Sequence, residues 1–273
     1  MQSATIDLEP IARLTKDIKT ALVTLTPTEA RYLVDAYYQI QDYRKAAANQ
    51  ERALGASGEP HLVISWLFAQ TETLEGQIKR ALDAWTDTQP MGVWAKSIVG
   101  IGPVISAGLL AHIDIEKAPT VGHIWRFAGL DPTVRWEKKT KRPWNAGLKV
   151  LCWKLGESFV KVSGNDKDVY GHVYAARKEK EQQANVAFAY REQAERKLAE
   201  MKIGRDTEAY KWYSQGMLPP AHIHARAKRY AVKLLLSAYW ETAYRQHYGT
   251  APPLPYPIAV LGHAHYIAPP AIR

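Results

Sequence analysis

The sequence predicts an all-α protein, and three observations lead to this prediction. Apolar residues recur at spacings of three and four over several long stretches, which is the period of a helix that buries one face. No stretch shows the sustained alternation of apolar and polar residues that a half-buried strand requires. The chain has 273 residues, is 47% hydrophobic and contains 9 Trp and 15 Tyr, so it can bury a substantial core.

Charge and cysteine content narrow the classes of partner. A formal net charge of +9 and a pI near 9.4 favour partners that carry phosphates, or an anionic membrane surface. The sequence contains no run of about 18 apolar residues, and its first residues lack the apolar core of a secretory signal. The single cysteine, Cys152, excludes an internal disulfide framework and fits a reducing compartment. We therefore expect a cytoplasmic protein with a polyanionic partner and no membrane association.

A long helical hairpin is predicted over residues 26–89, after an N-terminal lead at 1–25. The sequence Thr26-Pro27-Thr28-Glu29 has the pattern of a capping box, so a helix should follow it to about Ala53. Glycines and a proline between 55 and 60 interrupt the pattern. A second long helix should then extend from about His61 to Thr88.

The second helix of this hairpin carries an apolar stripe with heptad-like spacing. Two rows recur every seven residues: Ile64, Thr71, Ile78 and Trp85 on one, and Leu67, Leu74 and Ala81 on the other. Such a stripe packs either on the preceding helix or on a second chain as a coiled coil. A homodimer through the 60–88 helix is therefore one of two alternatives.

Residues 90–164 are predicted to form a nucleic-acid-binding core. An apolar helical segment leads into the corner Gly100-Ile101-Gly102-Pro103, and a second segment, Val104–Ile113, follows at once. Two glycines allow a tight reversal, and Pro103 suits the first position of a helix. The free amides at that helix start form an anion site, so the pattern predicts a helix-hairpin-helix that binds backbone phosphates. An ordinary corner between packed helices is the alternative.

The remaining helices are predicted from apolar spacing and from turn residues. A charged connector without periodicity occupies 133–142, and the proline-rich tail, 250–273, is expected to be an extended strap. The inner face of the helix from about Lys167 to Met201 should consist of Ala187, Ala194, Leu198 and Met201. We expect helices over Thr120–Gly129 and from about Pro143 or Trp144 to Val162. Further helices are expected over 167–201, 205–214 and Ala221–Tyr248. The helices after residue 164 are predicted to form a domain at 165–249.

A dense group of cations interleaved with tryptophans follows the corner. Cations bind phosphates while indole rings pack on sugars, on bases or on the cations' own stems. A solvated charged loop beside core tryptophans is the alternative. The cations are Arg135, Lys138, Lys139, Lys141, Arg142, Lys149, Lys154 and Lys161, the tryptophans are Trp136, Trp144 and Trp153, and only Glu137 and Glu157 oppose them. A second basic group lies on the last helix: Arg226, Lys228, Arg229 and Lys233.

The predicted nucleic-acid-binding set combines the corner with part of both basic groups. It consists of Gly100, Ile101, Gly102, Pro103, Arg135, Lys138, Lys139, Lys141, Arg142, Lys149, Lys154, Arg226 and Arg229.

Other residue patterns do not predict a metal, a cofactor or a nucleophile. Two His-x-His pairs, at 222–224 and 263–265, lack a carboxylate or thiol at a regular spacing beside them. Cys152 lies among apolar helical residues and is expected in the core. The chain contains no phosphate-binding loop of the Walker type and no dinucleotide fingerprint. No two-metal nuclease pattern arises from the acidic residues near the corner, which are Asp114, Glu116 and Asp131.

Three successive segments resemble the C-terminal transposase domain of the DEDD insertion-sequence transposases. They are Gly-Ile-Gly-Pro-Val-Ile-Ser-Ala-Gly-Leu-Leu from Gly100, Phe-Ala-Gly-Leu-Asp-Pro over 127–132, and Asn-Ala-Gly-Leu-Lys-Val-Leu-Cys-Trp-Lys over 145–154. The resemblance extends from about 94 to 160. It implies DNA recombination, and it implies that related proteins pair this domain with an N-terminal resolvase-like nuclease domain through a coiled coil. Some members are guided by an element-encoded RNA.

The sequence departs from the family pattern in two places. Its N-terminal region is predicted to be two helices rather than a nuclease fold with strand-borne carboxylates. The family's catalytic serine lies in the connector after Gly-Leu-Asp-Pro, whereas residues 133–143 contain Thr133 and Thr140 but no serine. The resemblance therefore implies DNA binding here, and no nucleophile is carried over.

Three functions stay open at this point. The first is a DNA-binding protein of a mobile element or phage, and the second is an active transposase or recombinase that works alone or with a separate nuclease subunit. The third is a helical structural protein whose basic face binds RNA or an acidic partner.

Overall fold

The computed structural model describes residues 21–56, 58, 62–254 and 268–270. These residues form ten α-helices and two short 3-10 turns, with no strand among them, which confirms the all-α prediction. None of the described helices is both long and apolar enough to cross a membrane. The predicted lead up to residue 20, most of the tail and the His263–His265 pair lie outside the described residues. The helices are α1 Pro27–Gly55, α2 Leu62–Asp87, α3 Pro90–Lys96, α4 Pro103–His112, α5 Val121–Phe127, α6 Ala146–Val162, α7 Tyr170–Val186, α8 Arg191–Glu200, α9 Glu208–Ser214 and α10 Pro220–Tyr248.

The described chain forms two compact units. The first contains the described residues up to Lys96 together with Gly102–Asp114, and the second contains Ser97–Ile101 together with the described residues from Ile115 onward. The polypeptide therefore passes into the second unit and back again at the predicted corner.

The first unit is built on the helical hairpin of α1 and α2. The capping box forms as predicted, because the Thr26 side chain accepts from the Glu29 amide while the Glu29 carboxylate accepts from the Thr26 amide at 2.8 Å. The Gln41 amide donates to Glu75 at 3.0 Å and the Ser65 hydroxyl donates to Glu51 at 2.9 Å, so the two helices are antiparallel. Helix α4 packs against both, and the shared core consists of Ala30, Val34, Tyr37, Leu82, Trp85, Val104, Ala107 and Ala111.

The apolar stripe on α2 is buried along only part of its length. Trp85 is 2% exposed, and its indole nitrogen donates to the Leu25 carbonyl at 3.0 Å. Nearer the start of α2, Leu67 and Leu74 are each 37% exposed. The stripe thus packs on the preceding helix, which is the first of the two predicted alternatives. The homodimer through this helix stays a prediction.

The second unit is built around α10, which packs against α5, α6 and α7. Asn145 caps α6 by accepting from the Leu148 amide at 2.8 Å, so α6 begins slightly later than the predicted Pro143 or Trp144. The Trp240 indole donates to the Ala118 carbonyl at 2.8 Å, and this bond joins α10 to the loop before α5. Side chains with less than 2% exposure form the centre of this unit: Leu148, Leu155, Phe159, Tyr170, Leu235, Leu236 and Trp240.

The prediction of a single helix from 167 to 201 is wrong. Helix α7 ends at Val186 and α8 begins at Arg191, with Phe188 in the left-handed region at a φ of 58°. The Asn185 side chain exchanges two hydrogen bonds with the backbone of Leu218, at 2.8 and 2.9 Å, which holds the end of α7. Of the four predicted inner-face residues, Ala194 is fully buried and Leu198 is half-buried, whereas Ala187 and Met201 are exposed because they lie outside both helices.

Candidate nucleic-acid interface

Gly100 is required by the conformation of the corner. Its φ of 93° lies in the region that disfavours residues with a side chain. A Cβ atom there would lie 3.1 Å from Cγ2 of Val162, and the Gly100 carbonyl accepts from the Ser158 hydroxyl at 2.5 Å. Gly100 is therefore fixed by α6 of the second unit.

Gly102 differs from Gly100 in both conformation and surroundings. Its φ of −92° suits any residue, and a Cβ atom there would have no heavy atom within 4 Å. Gly102 is the N-cap of α4 and offers no side chain to the helix, and Pro103 occupies the first turn. The amides of Val104 and Ile105, which have no partner inside a helix at these positions, are therefore left without a capping group.

Ile101 supports the corner from inside. Its side chain is 5% exposed, and its amide donates to the Ile98 carbonyl at 3.0 Å. Ile101 therefore contributes no free amide to an anion, and any phosphate contact at the corner belongs to Gly102 and the first turn of α4.

The connector forms an exposed basic loop after a fixed turn. The Asp131 carboxylate accepts from the Thr133 amide at 2.9 Å and from the Thr133 hydroxyl at 2.7 Å, and these bonds lower the pKa of Asp131. The Trp136 indole is 42% exposed and donates to the Thr140 carbonyl at 2.9 Å, while the Arg142 guanidinium lies 5.4 Å from its ring centre. Five exposed cations of this loop form no ion pair with the described residues: Arg135, Lys138, Lys139, Lys141 and Arg142.

Two cations on α6 and α10 add to the positive charge of the second unit. The Lys149 ammonium lies 3.8 Å from the centre of the Trp144 ring. Burial lowers the pKa of Lys149, and the charges of Arg142 and Arg229 lower it further. Burial and the charge of Arg226 likewise lower the pKa of Arg229. These shifts indicate cations that repel one another, and the charge of Glu181 only partly offsets the effect on Arg229.

Arg226 has a partner inside the fold. Its guanidinium donates to the Glu181 carboxylate at 2.6 Å and lies 4.5 Å from the centre of the Tyr190 ring. Glu181 is 1% exposed and is also paired with Arg177, so Arg226 is held inside the fold by a carboxylate that the two arginines share. Lys228 is similarly paired with Glu157, and Lys154 is half-buried. The structure thus separates Arg226 and Lys154 from the exposed cations of the predicted set.

The first His-x-His pair is used for packing. The Nδ1 atom of His222 lies 3.2 Å from the Tyr213 hydroxyl, and Nδ1 of His224 lies 2.8 Å from the Tyr174 hydroxyl. No group of three or more metal-ligating side chains is found in the part of the chain that the structure describes. Cys152 is 3% exposed, as expected for a core residue, and burial raises the pKa of its thiol to about 12.

Gly156 is a residue of this region that the sequence analysis missed. A Cβ atom at Gly156 would lie 3.3 Å from Cβ of Lys228 and 3.5 Å from Cγ2 of Val232, so this glycine permits the close approach of α6 and α10. The available signal was a glycine inside an otherwise apolar helical pattern, which commonly has a packing reason.

The molecule thus combines an all-helical fold with an uncapped helix start and an exposed basic loop that follows it in sequence. Residues 94–151 match the family described as Transposase IS116/IS110/IS902. The match confirms the resemblance to a C-terminal transposase domain and supports a transposase-like function in a mobile element. It begins in α3, contains the corner and the connector, and ends within α6. No curated protein and no solved structure matches the chain significantly.

Proposed function

We propose that this protein binds DNA through its backbone phosphates, as a component of the transposition machinery of a mobile element. The observation that carries the proposal is that one continuous match to a transposase family, 94–151, contains both the corner and the basic connector. A phosphate oxygen fits the uncapped amides at the start of α4, because the positive end of a helix favours an anion there.

The proposed contacts fall into two groups. The first is the corner, where Gly102 leaves the amides of Val104 and Ile105 open. The second is the set of unpaired cations, which comprises Arg135, Lys138, Lys139, Lys141, Arg142, Lys149 and Arg229. Contacts of this kind are largely insensitive to base sequence, so discrimination between sequences must come from another source.

The salt dependence of binding tests this proposal. Full-length protein is titrated against a fluorescent mixed-sequence duplex at several salt concentrations. If about six phosphates are neutralised, log affinity should fall against log salt with a slope near −5. A slope near zero would contradict the proposal.

A triple variant tests whether the connector supplies the contacts. Replacing Arg135, Lys138 and Lys141 by Gln should reduce the magnitude of the slope by about 3, because each lost phosphate contact removes about one unit. The matched control replaces Lys167, Lys180 and Lys202, which are exposed cations outside the connector, and changes the net charge equally. If the two variants reduce the slope equally, binding depends on the net charge of the protein and not on the connector. Tighter competition by structured RNA than by duplex would replace DNA with RNA as the ligand.

A second candidate function is cleavage or joining of DNA strands, which the same transposase match favours. It is tested by incubating the purified protein with supercoiled plasmid and magnesium. Nicked, linear or recombined products would establish the activity. Binding without such products would leave the protein as a DNA-binding component only.

A further inference from the structure

An open pocket in the second unit lies beside the cations of α6 and α10. Its volume is about 470 Å³, which lies within the range of roughly 300 to 1,000 Å³ that small-ligand sites occupy. Three segments form its walls: the turn at 129–132, α6 and α10. The pocket is not evident from the sequence, because its walls are far apart along the chain.

The basic wall of the pocket holds more positive charge than the fold compensates. Lys149, Lys228 and Arg229 all line it. Lys228 is paired with Glu157, whereas Lys149 and Arg229 form no ion pair with any described residue. Burial and like charges lower the pKa of both unpaired groups. Both side chains are exposed to solvent, so an anion that enters the pocket can reach them.

The aromatic residue that lines the pocket is Trp153, which is 60% exposed. A single exposed aromatic residue is common and needs no explanation. This one, however, lies on the same helix as Lys149, and the ammonium of Lys228 lies 6.0 Å from its ring centre. An exposed ring beside phosphate-binding cations is the combination with which proteins bind unpaired nucleotides.

The turn at 129–132 contributes a carboxylate to the pocket. Both hydrogen bonds from Thr133 are accepted by Oδ1 of Asp131, and they lower the pKa of this carboxyl, so it is ionised at neutral pH. A carboxylate repels a phosphate but accepts from an exocyclic amino group of a base. The pocket therefore has one wall suited to phosphate and another suited to a base.

We propose that this pocket holds one unpaired nucleotide of a DNA strand, with its base against Trp153 and its phosphate between Lys149 and Arg229. The inference rests on the proposed DNA-binding function and adds that the bound DNA contains an unpaired position. It predicts a preference among DNA structures that the backbone contacts alone do not provide.

Full-length protein is titrated against a blunt duplex and against the same duplex with a short unpaired overhang. The overhang should bind about 5- to 150-fold more tightly, which is the effect of stacking one base on an aromatic ring. Trp153→Ala should abolish this gain and leave the affinity for the blunt duplex unchanged. The matched control is Val150→Ala, because Val150 is 52% exposed on the same helix and does not line the pocket.

The outcomes separate this inference from the proposed function. If neither DNA binds, the proposed function fails. If both DNAs bind equally, or if Trp153→Ala weakens both alike, the pocket assignment fails while DNA binding stands. If free deoxynucleoside monophosphate competes as strongly as the overhang, the ligand is a small nucleotide and the strand assignment is overturned.

A measurement on the unsubstituted protein covers the case in which Trp153→Ala does not fold. The overhang is synthesised with a photoreactive 5-iododeoxyuridine at the unpaired position, irradiated in complex with the protein, and the cross-linked peptide is identified by mass spectrometry. A cross-link to the peptide containing Trp153 supports the inference. A cross-link confined to other peptides overturns it.

Discussion

At the scale of single residues, the two glycines of the corner have different roles although the sequence presents them as a symmetric pair. Gly100 is held at a positive φ against Val162, whereas Gly102 has an ordinary φ and open space around it. We therefore expect Gly100→Ala to lower the free energy of unfolding by about 1 to 3 kcal/mol, through strain at a left-handed position. Gly102→Ala should change it by less than about 1 kcal/mol. Urea titration checks both values, and equal losses would contradict the distinction.

Gly102 also offers a substitution that should move stability and binding in opposite directions. In Gly102→Ser, the hydroxyl can accept from an amide in the first turn of α4, so the free energy of unfolding should rise by a few tenths of a kcal/mol. The same hydroxyl occupies the proposed phosphate position, and DNA affinity should fall about fivefold, which corresponds to roughly 1 kcal/mol. Gly102→Val should weaken binding by steric blockage without the gain in stability. Unchanged affinity in both folded variants would exclude the corner as a contact.

Residue-level prediction from sequence succeeded where the signal was local. The capping box of Thr26 and Glu29 needs only four consecutive residues, and it forms as predicted. The environment of Arg226 was not predictable in this way, because its partner Glu181 lies 45 positions away and becomes its neighbour only through packing of α7 on α10. The sequence therefore shows where the cations lie along the chain, whereas the tertiary fold determines which of them form ion pairs with carboxylates.

At the scale of helices, the exposed start of α2 allows a test of the predicted homodimer. Leu62 and Val63 are 60% and 59% exposed, and Leu67 is 37% exposed. If a second chain packs here, Leu67→Glu should shift the protein from dimer to monomer, because a charge would be buried in an apolar interface. Light scattering coupled to size exclusion measures this shift. Lys79→Gln, an exposed site on the same helix with the same change in charge, is the control, and a monomeric unsubstituted protein would contradict the prediction.

Helix boundaries show the limit of periodicity as a predictor. The end of α10 was placed correctly at Tyr248, where Gly249 adopts a left-handed φ of 69°. The break between α7 and α8 was missed because Phe188, which adopts the left-handed conformation there, carries no such signal. The side-chain bonds between Asn185 and Leu218 that hold this end join residues 33 positions apart, beyond the reach of a local pattern.

At the scale of the whole molecule, two histidines predict how stability depends on pH. Burial, with the charge of Arg31, lowers the pKa of His112 to about 4, and burial, with the charges of Arg229 and Arg226, lowers that of His222 to about 4. The unfolded chain takes up these protons near pH 6.5, before the folded protein does. The contribution of these two histidines to the free energy of unfolding should therefore be fully present above about pH 6.5. The free energy of unfolding should fall by about 1 to 3 kcal/mol per histidine as the pH drops towards 4.

Urea titrations between pH 7 and 4 measure this loss. Since His112 and His222 lie in different units, His112→Asn and His222→Asn should each reduce the dependence on pH separately. His172→Asn, at an exposed histidine, is the control for the effect of replacing a histidine by asparagine. A stability that is constant over this range in the unsubstituted protein would contradict the assignment.

The family match stops at residue 151, part-way along α6, and this has a consequence for dissecting the protein. Phe159 and Val162 lie beyond that point, yet they are the side chains that Gly100 meets, and Ser158 is the donor to its carbonyl. A fragment excised at the limits of the match would therefore lose the support that shapes its own most characteristic turn. Transplanting 94–151 into another scaffold would transfer the amino-acid sequence of the motif without its conformation. A functional module should therefore extend at least to the end of α6 and include the surface of α10 against which α6 packs.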